Sequence, residues 1–241
     1  PTPGPQPPES SFIQRPPASA QGFSKTPNFD FELEAMAAGD IDGDGKVELV
    51  LAEDSTVHIY QQEPKLQEMA TVEVPGRYRI HWLSLADLNG NGRQEIYISA
   101  ADHDSPSAKA VEWNGEGFST LFEDARWYVR AMDLAGDGPA LLGQRPAVDA
   151  VLLPGIFRLV LKEDGPAKGQ QLALPERVNV FDFALADVNG DQEAEVLHID
   201  QNFHLQVLRR DGKTLWQSDE AYGGTTRYLG GLPVMGAHRE A

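Results

Sequence analysis

The chain has 241 residues, 41% hydrophobic and 24% charged, which is enough apolar material for a sizeable core and excludes a wholly disordered chain. Acidic residues outnumber basic ones 37 to 20, and the formal charge of -17 repels phosphate backbones and anionic lipid, which argues against nucleic acid as a partner. Cysteine is absent, which excludes a disulfide frame, a thiolate nucleophile and a zinc–cysteine site.

Residues 1–27 hold eight of the 17 prolines, with Ser, Gln and Gly between them, and predict an extended or disordered linker ahead of the folded part. The opening PTPGPQPPES lacks an initiating methionine, so the chain reads as a processed product or an excerpt, with room for an anchor upstream. From Phe29 the texture changes to short alternating runs, FELEAMA, VELVLAE, TVHIYQQ and MATVEV, separated by Gly, Asp, Asn and Pro. Such period-two segments of four to eight residues predict half-buried antiparallel strands. The longest apolar neighbourhood, AVDAVLLPGIFRLVL from Ala147, is broken by Asp149, Pro154 and Arg158, whereas a membrane-spanning helix needs about 20 nearly uninterrupted apolar residues. No span is predicted.

An acidic loop recurs along the chain. It reads DIDGDGKVE from Asp40, DLNGNGRQE from Asp87, DLAGDGPAL from Asp133 and DVNGDQEAE from Asp187, with leading aspartates 47, 46 and 54 residues apart. Each copy follows an apolar alternating run and precedes a strand-like one. The repeating unit is therefore strand, acidic loop, strand, turn, strand, turn, strand, which is the pattern of a β-propeller blade. The predicted fold is all-β: a β-propeller of four-stranded antiparallel blades over residues 28–241. Blades are expected at 29–76, 77–124, 125–176 and 177–222, with the start of a fifth at 223–241. An open ring exposes edges that proteins normally avoid, so these blades are expected to form part of a larger ring of about seven.

Carboxylates at loop positions 1, 3 and 5, a backbone carbonyl at 7 and a carboxylate at 9 can surround one hard cation with oxygen, and glycine at 6 suits the sharp turn. In the first loop these are Asp40, Asp42, Asp44, the carbonyl of Lys46, and Glu48, with Gly45 at the turn. An EF-hand opens in the same way but needs a glutamate at position 12 and a helix after it. Position 12 is Leu51, Ile98 and His198 in the three well-kept copies, and strand-like sequence follows.

The D-x-D/N-x-D/N-G-x-x-D/E loop between strands, repeated about every 50 residues, resembles the FG-GAP or VCBS repeat of integrin α-subunit propellers and many bacterial extracellular proteins. The resemblance runs from Phe29 to the C-terminus. It implies a calcium-binding propeller, usually seven-bladed, that works in adhesion, protein recognition or assembly at a bacterial cell envelope, in the periplasm, on the cell surface or outside the cell. It implies no reaction. Carried over by residue, the second loop supplies Asp87, Asn89, Asn91, the carbonyl of Arg93, and Glu95. The fourth supplies Asp187, Asn189, Asp191, the carbonyl of Glu193, and Glu195, with Gln192 in place of the turn glycine. The third keeps Asp133 and Asp137 but has Ala135, Pro139 and Leu141 at positions 3, 7 and 9, and is expected to hold no ion.

About three Ca2+ sites are thus expected, and three ions would bring the formal charge from -17 to -11. Carboxylates number four in the first loop, three in the fourth and two in the second, which predicts tightest binding in the first. The alternative is a set of Asp/Asn/Gly turns that cap hairpins without an ion.

Other candidates carry less. The six histidines are scattered, and Asp102, His103, Asp104 and Ser105 read as a surface turn rather than a relay. No nucleophile elbow, P-loop or dinucleotide fingerprint occurs, so no enzyme is predicted. Trp82, Trp113, Trp127 and Trp216 fall in or beside strands; packing between blades is expected, with stacking on a glycan, as in a lectin, as the alternative. The apolar stretch AVDAVLLPGIF is expected to pack as an extra hairpin, with an exposed contact surface as the alternative.

Overall fold

The computed structural model describes residues 28–62, 65–103, 105–147, 152–200, 202–222, 228–229 and 232–233. The predicted linker at 1–27, Asp104, residues 148–151 of the apolar stretch and most of the partial fifth blade lie outside them. The chain divides into two units, Pro1–Asp30 and Phe31–Ala241, and the architecture below belongs to the second.

The described residues form strands and turns without a helix, and therefore contain no helix long and apolar enough to cross a membrane. The first sheet is β1 (Ala35–Gly39), β2 (Glu48–Glu53), β3 (Thr56–Gln61) and β4 (Gln67–Glu73). The second is β5 (Arg79–Ala86), β6 (Glu95–Asp102), β7 (Ser105–Trp113) and β8 (Phe118–Ala125). The third is β9 (Tyr128–Asp133), β10 (Pro139–Gln144), β11 (Phe157–Lys162) and β12 (Gly165–Gln171). The fourth is β13 (Phe183–Ala186), β14 (Glu195–Ile199), β15 (His204–Leu208) and β16 (Thr214–Ala221). Each sheet is a meander in chain order with antiparallel neighbours, and a short hairpin, β17 (Tyr228–Leu229) with β18 (Leu232–Pro233), follows. The first strands β1, β5 and β9 lie beside one another, as the inner strands of successive propeller blades do.

Three cores lie between consecutive sheets, and strand alternation decides which residue enters which. On β6, Ile96, Ile98 and Ala100 join Val50, Ala52, Val57 and Ile59 of the first sheet. Tyr97, on the opposite face, joins Trp127, Val129, Leu141 and Leu159 of the third. Residues 95–101 are consequently all buried, because the second sheet is covered on both faces. A third core holds Tyr128, Leu142 and Ile156 against Phe181, Phe183, Val196 and Leu208. Arg130 bridges this last junction. Its Nη1 donates to the carbonyls of Phe183 at 2.8 Å and Val180 at 3.3 Å, while the guanidinium lies 5.2 Å from the Trp82 ring centroid and 5.4 Å from that of Phe183.

The end sheets differ. Across the fourth sheet, register aligns Ala184, Leu197, Val207 and Trp216 in one row on the face away from the third, and Trp216 is 50% exposed. Across the first, Met36, Leu51, His58 and Thr71 form the corresponding row, and Met36 is 62% exposed. Of the other tryptophans, Trp127 is fully buried beneath Arg145, whose guanidinium sits 3.7 Å from its ring, and Trp113 packs edge-on against Phe118. The described end of the apolar stretch is mixed: Ile156 is core, Leu152 bridges Pro146, and Leu153 is about half exposed.

Candidate metal centres

All four acidic loops join the first strand of a sheet to its second. The aspartate at position 1 organises three of them in the same way, by accepting two backbone N–H groups that the turn leaves unpaired. Asp40 accepts from Gly43 at 2.8 Å and from Gly45 at 2.9 Å. Asp87 accepts from Gly90 at 2.7 Å and Gly92 at 2.8 Å, and Asp187 from Gly190 at 2.6 Å and Gln192 at 2.9 Å. Position 6 is left-handed in all three, at φ 83° for Gly45, 86° for Gly92 and 71° for Gln192. For Gln192 that conformation costs about 1–2 kcal/mol that a glycine avoids.

Position 9 anchors each loop to its sheet. Glu48, Glu95 and Glu195 are 3%, 1% and 4% exposed, and each accepts the backbone N–H of position 2: Ile41 at 2.9 Å, Leu88 at 2.8 Å and Val188 at 3.0 Å. Burial raises the pKa of Glu48, and the nearby Asp42, Asp44 and Asp40 raise it further, against the lowering effect of the Ile41 N–H. Burial likewise raises Glu95, opposed by the N–H of Leu88 and the hydroxyl of Tyr97, which donates at 3.2 Å.

In the first loop, Asp40, Asp42 and Glu48 each bring a carboxylate oxygen within 4.8 Å of the other two. Oxygens that share one calcium at about 2.3–2.6 Å each are separated by no more than roughly 5 Å, so this donor set fits that ion. The cluster opens onto a cavity of about 320 Å³ lined by Asp42, Asp44, Lys46, Glu48, Gln61 and Gln62. Asp44 stands outside the group of three. It accepts the Lys46 N–H at 2.8 Å and its ammonium at 3.1 Å, and these contacts hold its carboxyl below the ordinary aspartate value. The Lys46 ammonium thus competes with an ion for Asp44 Oδ2.

The second loop sets Asn89 and Asn91 where the first has Asp42 and Asp44. Their Oδ1 atoms accept the N–H of Asn91 at 3.0 Å and of Arg93 at 2.9 Å. Both Nδ2 groups donate to Glu112 on β7, a residue that the sequence pattern did not single out. In the fourth loop, Asn189 and Asp191 accept the N–H groups of Asp191 and Glu193, each at 2.8 Å. Asn189 Nδ2 donates within its own loop, to Asp191 at 3.0 Å and Glu195 at 2.9 Å. The third loop is built otherwise: Asp133 accepts only the Ala135 N–H, at 2.8 Å, among the described contacts. Leu134 is buried in the core while its N–H donates to Gly138. Asp137 lies in the turn beyond it.

The first two loops also touch. The Gln94 N–H donates to the Asp40 carbonyl at 3.1 Å, and a Cβ on Gly39 would sit 1.9 Å from Gln94 Oε1.

Comparison with known proteins agrees with this architecture. A rhamnogalacturonan lyase of Bacillus licheniformis superposes with a TM-score of 0.51 at 12% identity, over 85% of this chain and 57% of that one. The rhamnogalacturonan lyase YesW gives 0.48 at 17% identity, over 76% and 42%, and the V. cholerae biofilm matrix protein Bap1 gives 0.40 at 20%, over 78% and 29%. The chain thus spans less than two thirds of the length of each, and the likeness to the B. licheniformis lyase, at 12% identity, is one of fold. No curated protein matches it in sequence. Residues 40–98 match the profile of the FG-GAP-like repeat. That segment, with the first two acidic loops and the strands between them, is similar to the FG-GAP-like repeat and lies in four-stranded antiparallel sheets stacked as propeller blades.

Proposed function

We propose that the protein is a non-catalytic, calcium-stabilised β-propeller module that serves protein recognition, adhesion or assembly at the cell envelope or outside the cell. The observation that carries the reading is the convergence of Asp40, Asp42 and Glu48 at a strand-to-strand loop within an FG-GAP-like repeat. Asp40, Asp42, Asp44, the Lys46 carbonyl and Glu48 would hold one ion. The loops at Asp87 and Asp187 would hold others, and the third lacks the oxygens for one. Bound calcium would supply positive charge where carboxylates crowd and would clamp the loop between two strands. An extracellular setting fits because calcium modules there bind at about 10⁻⁴ to 10⁻³ M, which leaves such sites empty in the cytosol.

Metal analysis of purified protein dialysed against millimolar CaCl2, paired with thermal melts in CaCl2 and in EDTA, tests the reading. Calcium retained in stoichiometric amount and a higher melting temperature in its presence are expected. No retained calcium and superimposable melts would overturn it. A glycan-binding reading rests on Trp216, half exposed in the outward row of the fourth sheet. A glycan array with Trp216→Ala as control distinguishes it, since binding that survives the substitution removes that basis.

A further inference from the structure

We propose that Glu112, on strand β7, is a positioning residue of the second loop: it anchors the Asn89 and Asn91 side chains by their Nδ2 ends, so that their oxygens stay available to the cation and their N–H groups stay off the loop's acids. The proposal rests on the calcium reading above. An asparagine amide ligates calcium only through Oδ1; within the loop the N–H groups of Asn91 and Arg93 hold the Oδ1 atoms of Asn89 and Asn91, which leaves each Nδ2 group to be placed. Glu112 places both. Its carboxylate has no hydrogen to donate, so only Nδ2 groups can face it, and Oε1 accepts from Asn89 at 3.0 Å and also from Asn91. The loop backbone thus holds each Oδ1 and Glu112 holds each Nδ2, which secures the side chains at both ends and keeps their N–H groups off the loop's own carboxylates.

Sheet register places this residue. The β6–β7 ladder pairs Ile96 with Val111, so one step further Glu112 stands opposite Glu95, the position 9 acid. The corresponding residue is Gln61 for the first loop, opposite Glu48. By the same step beyond Val196–Leu208 it is Arg209 for the fourth, and beyond Leu142–Arg158 it is Leu159 for the third. Arg209 cannot accept an amide hydrogen, and its guanidinium pairs with Asp211 at 3.5 Å. The Asn189 amide accordingly turns its N–H groups on Asp191 and Glu195, two of the oxygens its own loop would offer an ion. The second loop keeps Glu95 clear of such a contact and gains the negative charge of Glu112. The order of filling is therefore first, second, fourth, although the second loop has fewer carboxylates of its own than the fourth.

The test uses the whole chain carrying Asp40→Asn and Asp187→Asn, which leaves the position 1 acid in the second loop and in the third, and the third lacks side-chain oxygens at positions 3 and 9. Calorimetric titration with CaCl2 is expected to show one site, and Glu112→Gln to weaken it about 10- to 100-fold, as loss of an orienting outer carboxylate does. Glu112→Asp recovers part of the loss. Circular dichroism and the EDTA melting temperature stay unchanged in the Gln variant, which separates positioning from folding. Affinity of Glu112→Gln within about twofold of its parent overturns the proposal. So does a parent that binds no calcium while the unsubstituted protein does. If the unsubstituted protein itself binds none, the calcium reading fails and this proposal falls with it.

Discussion

Asp40→Ala separates what the first loop owes to its own hydrogen bonds from what it owes to an ion. The Asp40 carboxylate holds two backbone N–H groups, those of Gly43 and Gly45, at 2.8 and 2.9 Å. Both lie in an exposed loop where water can replace the carboxylate, so their loss costs about 1–2 kcal/mol in total. That is the whole effect expected in EDTA. At roughly 5 mM calcium, a site with a dissociation constant of about 10⁻⁴ to 10⁻³ M adds about 1–2 kcal/mol by mass action. Asp40→Ala forfeits this as well, for a total of about 2–4 kcal/mol. In a domain of this size each kcal/mol moves the melting temperature by about 2–4 °C. Asp40→Asn keeps one acceptor oxygen, so it should recover roughly half of the EDTA loss and little of the calcium increment. Urea titrations of the three proteins, each with and without calcium, measure all four quantities. The same deficit in calcium and in EDTA would refute the reasoning, because Asp40 would then act as a turn cap alone.

Gln192→Gly relieves a left-handed backbone at φ 71° and is expected to stabilise the protein in EDTA by up to about 1 kcal/mol, read by urea unfolding; a loss of stability contradicts the assignment of strain. In EDTA, burial keeps Glu48 and Glu95 above the ordinary glutamate value, so the folded state takes up their protons more readily than the unfolded chain. Their contribution makes the metal-free protein more stable as pH falls from neutral through the raised values, and the gain is complete below the unfolded value of about 4.3. Calcium affinity moves the opposite way over the same window, because protons compete for those oxygens. Melts in EDTA against pH should show the gain in the parent and a flatter response in Glu48→Gln with Glu95→Gln; equal slopes would count against it.

The blades were legible in the sequence because the acidic loops recur at one point in every sheet, between its first and second strands, and period-two runs flank each copy. What could not be read was which face of a strand meets which neighbour. Residues 95–101 are buried because sheets stack on both faces of β6, while Trp216 lies in the polar run TLWQSDEA on the last strand of the fourth sheet and stays half exposed. Glu112 was missed for a related reason. Within the run AVEW it looks like an ordinary outward acid, and its meaning depends on pairing across the hairpin. A signal existed: Asp102 pairs with Ser105 around a tight turn, with His103 left-handed at φ 53°. Counting seven residues back from that turn on either side arrives at Glu95 and Glu112. Reading the turn only as a surface loop discarded the register it encodes. In the third loop, position 9 is the core residue Leu141, so the place that carries a carboxylate in the other three loops feeds the hydrophobic junction instead.

The bond from the Gln94 N–H to the Asp40 carbonyl gives the first two loops a shared mechanical fate. It crosses the seam between two sheets, fastening the backbone of one loop to the residue that opens the other. A pull that parts those sheets has to break it at the same moment as it distorts the position 1 aspartate. Hydrogen exchange of a single amide proton, on Gln94, would then register events at a loop to which that residue does not belong.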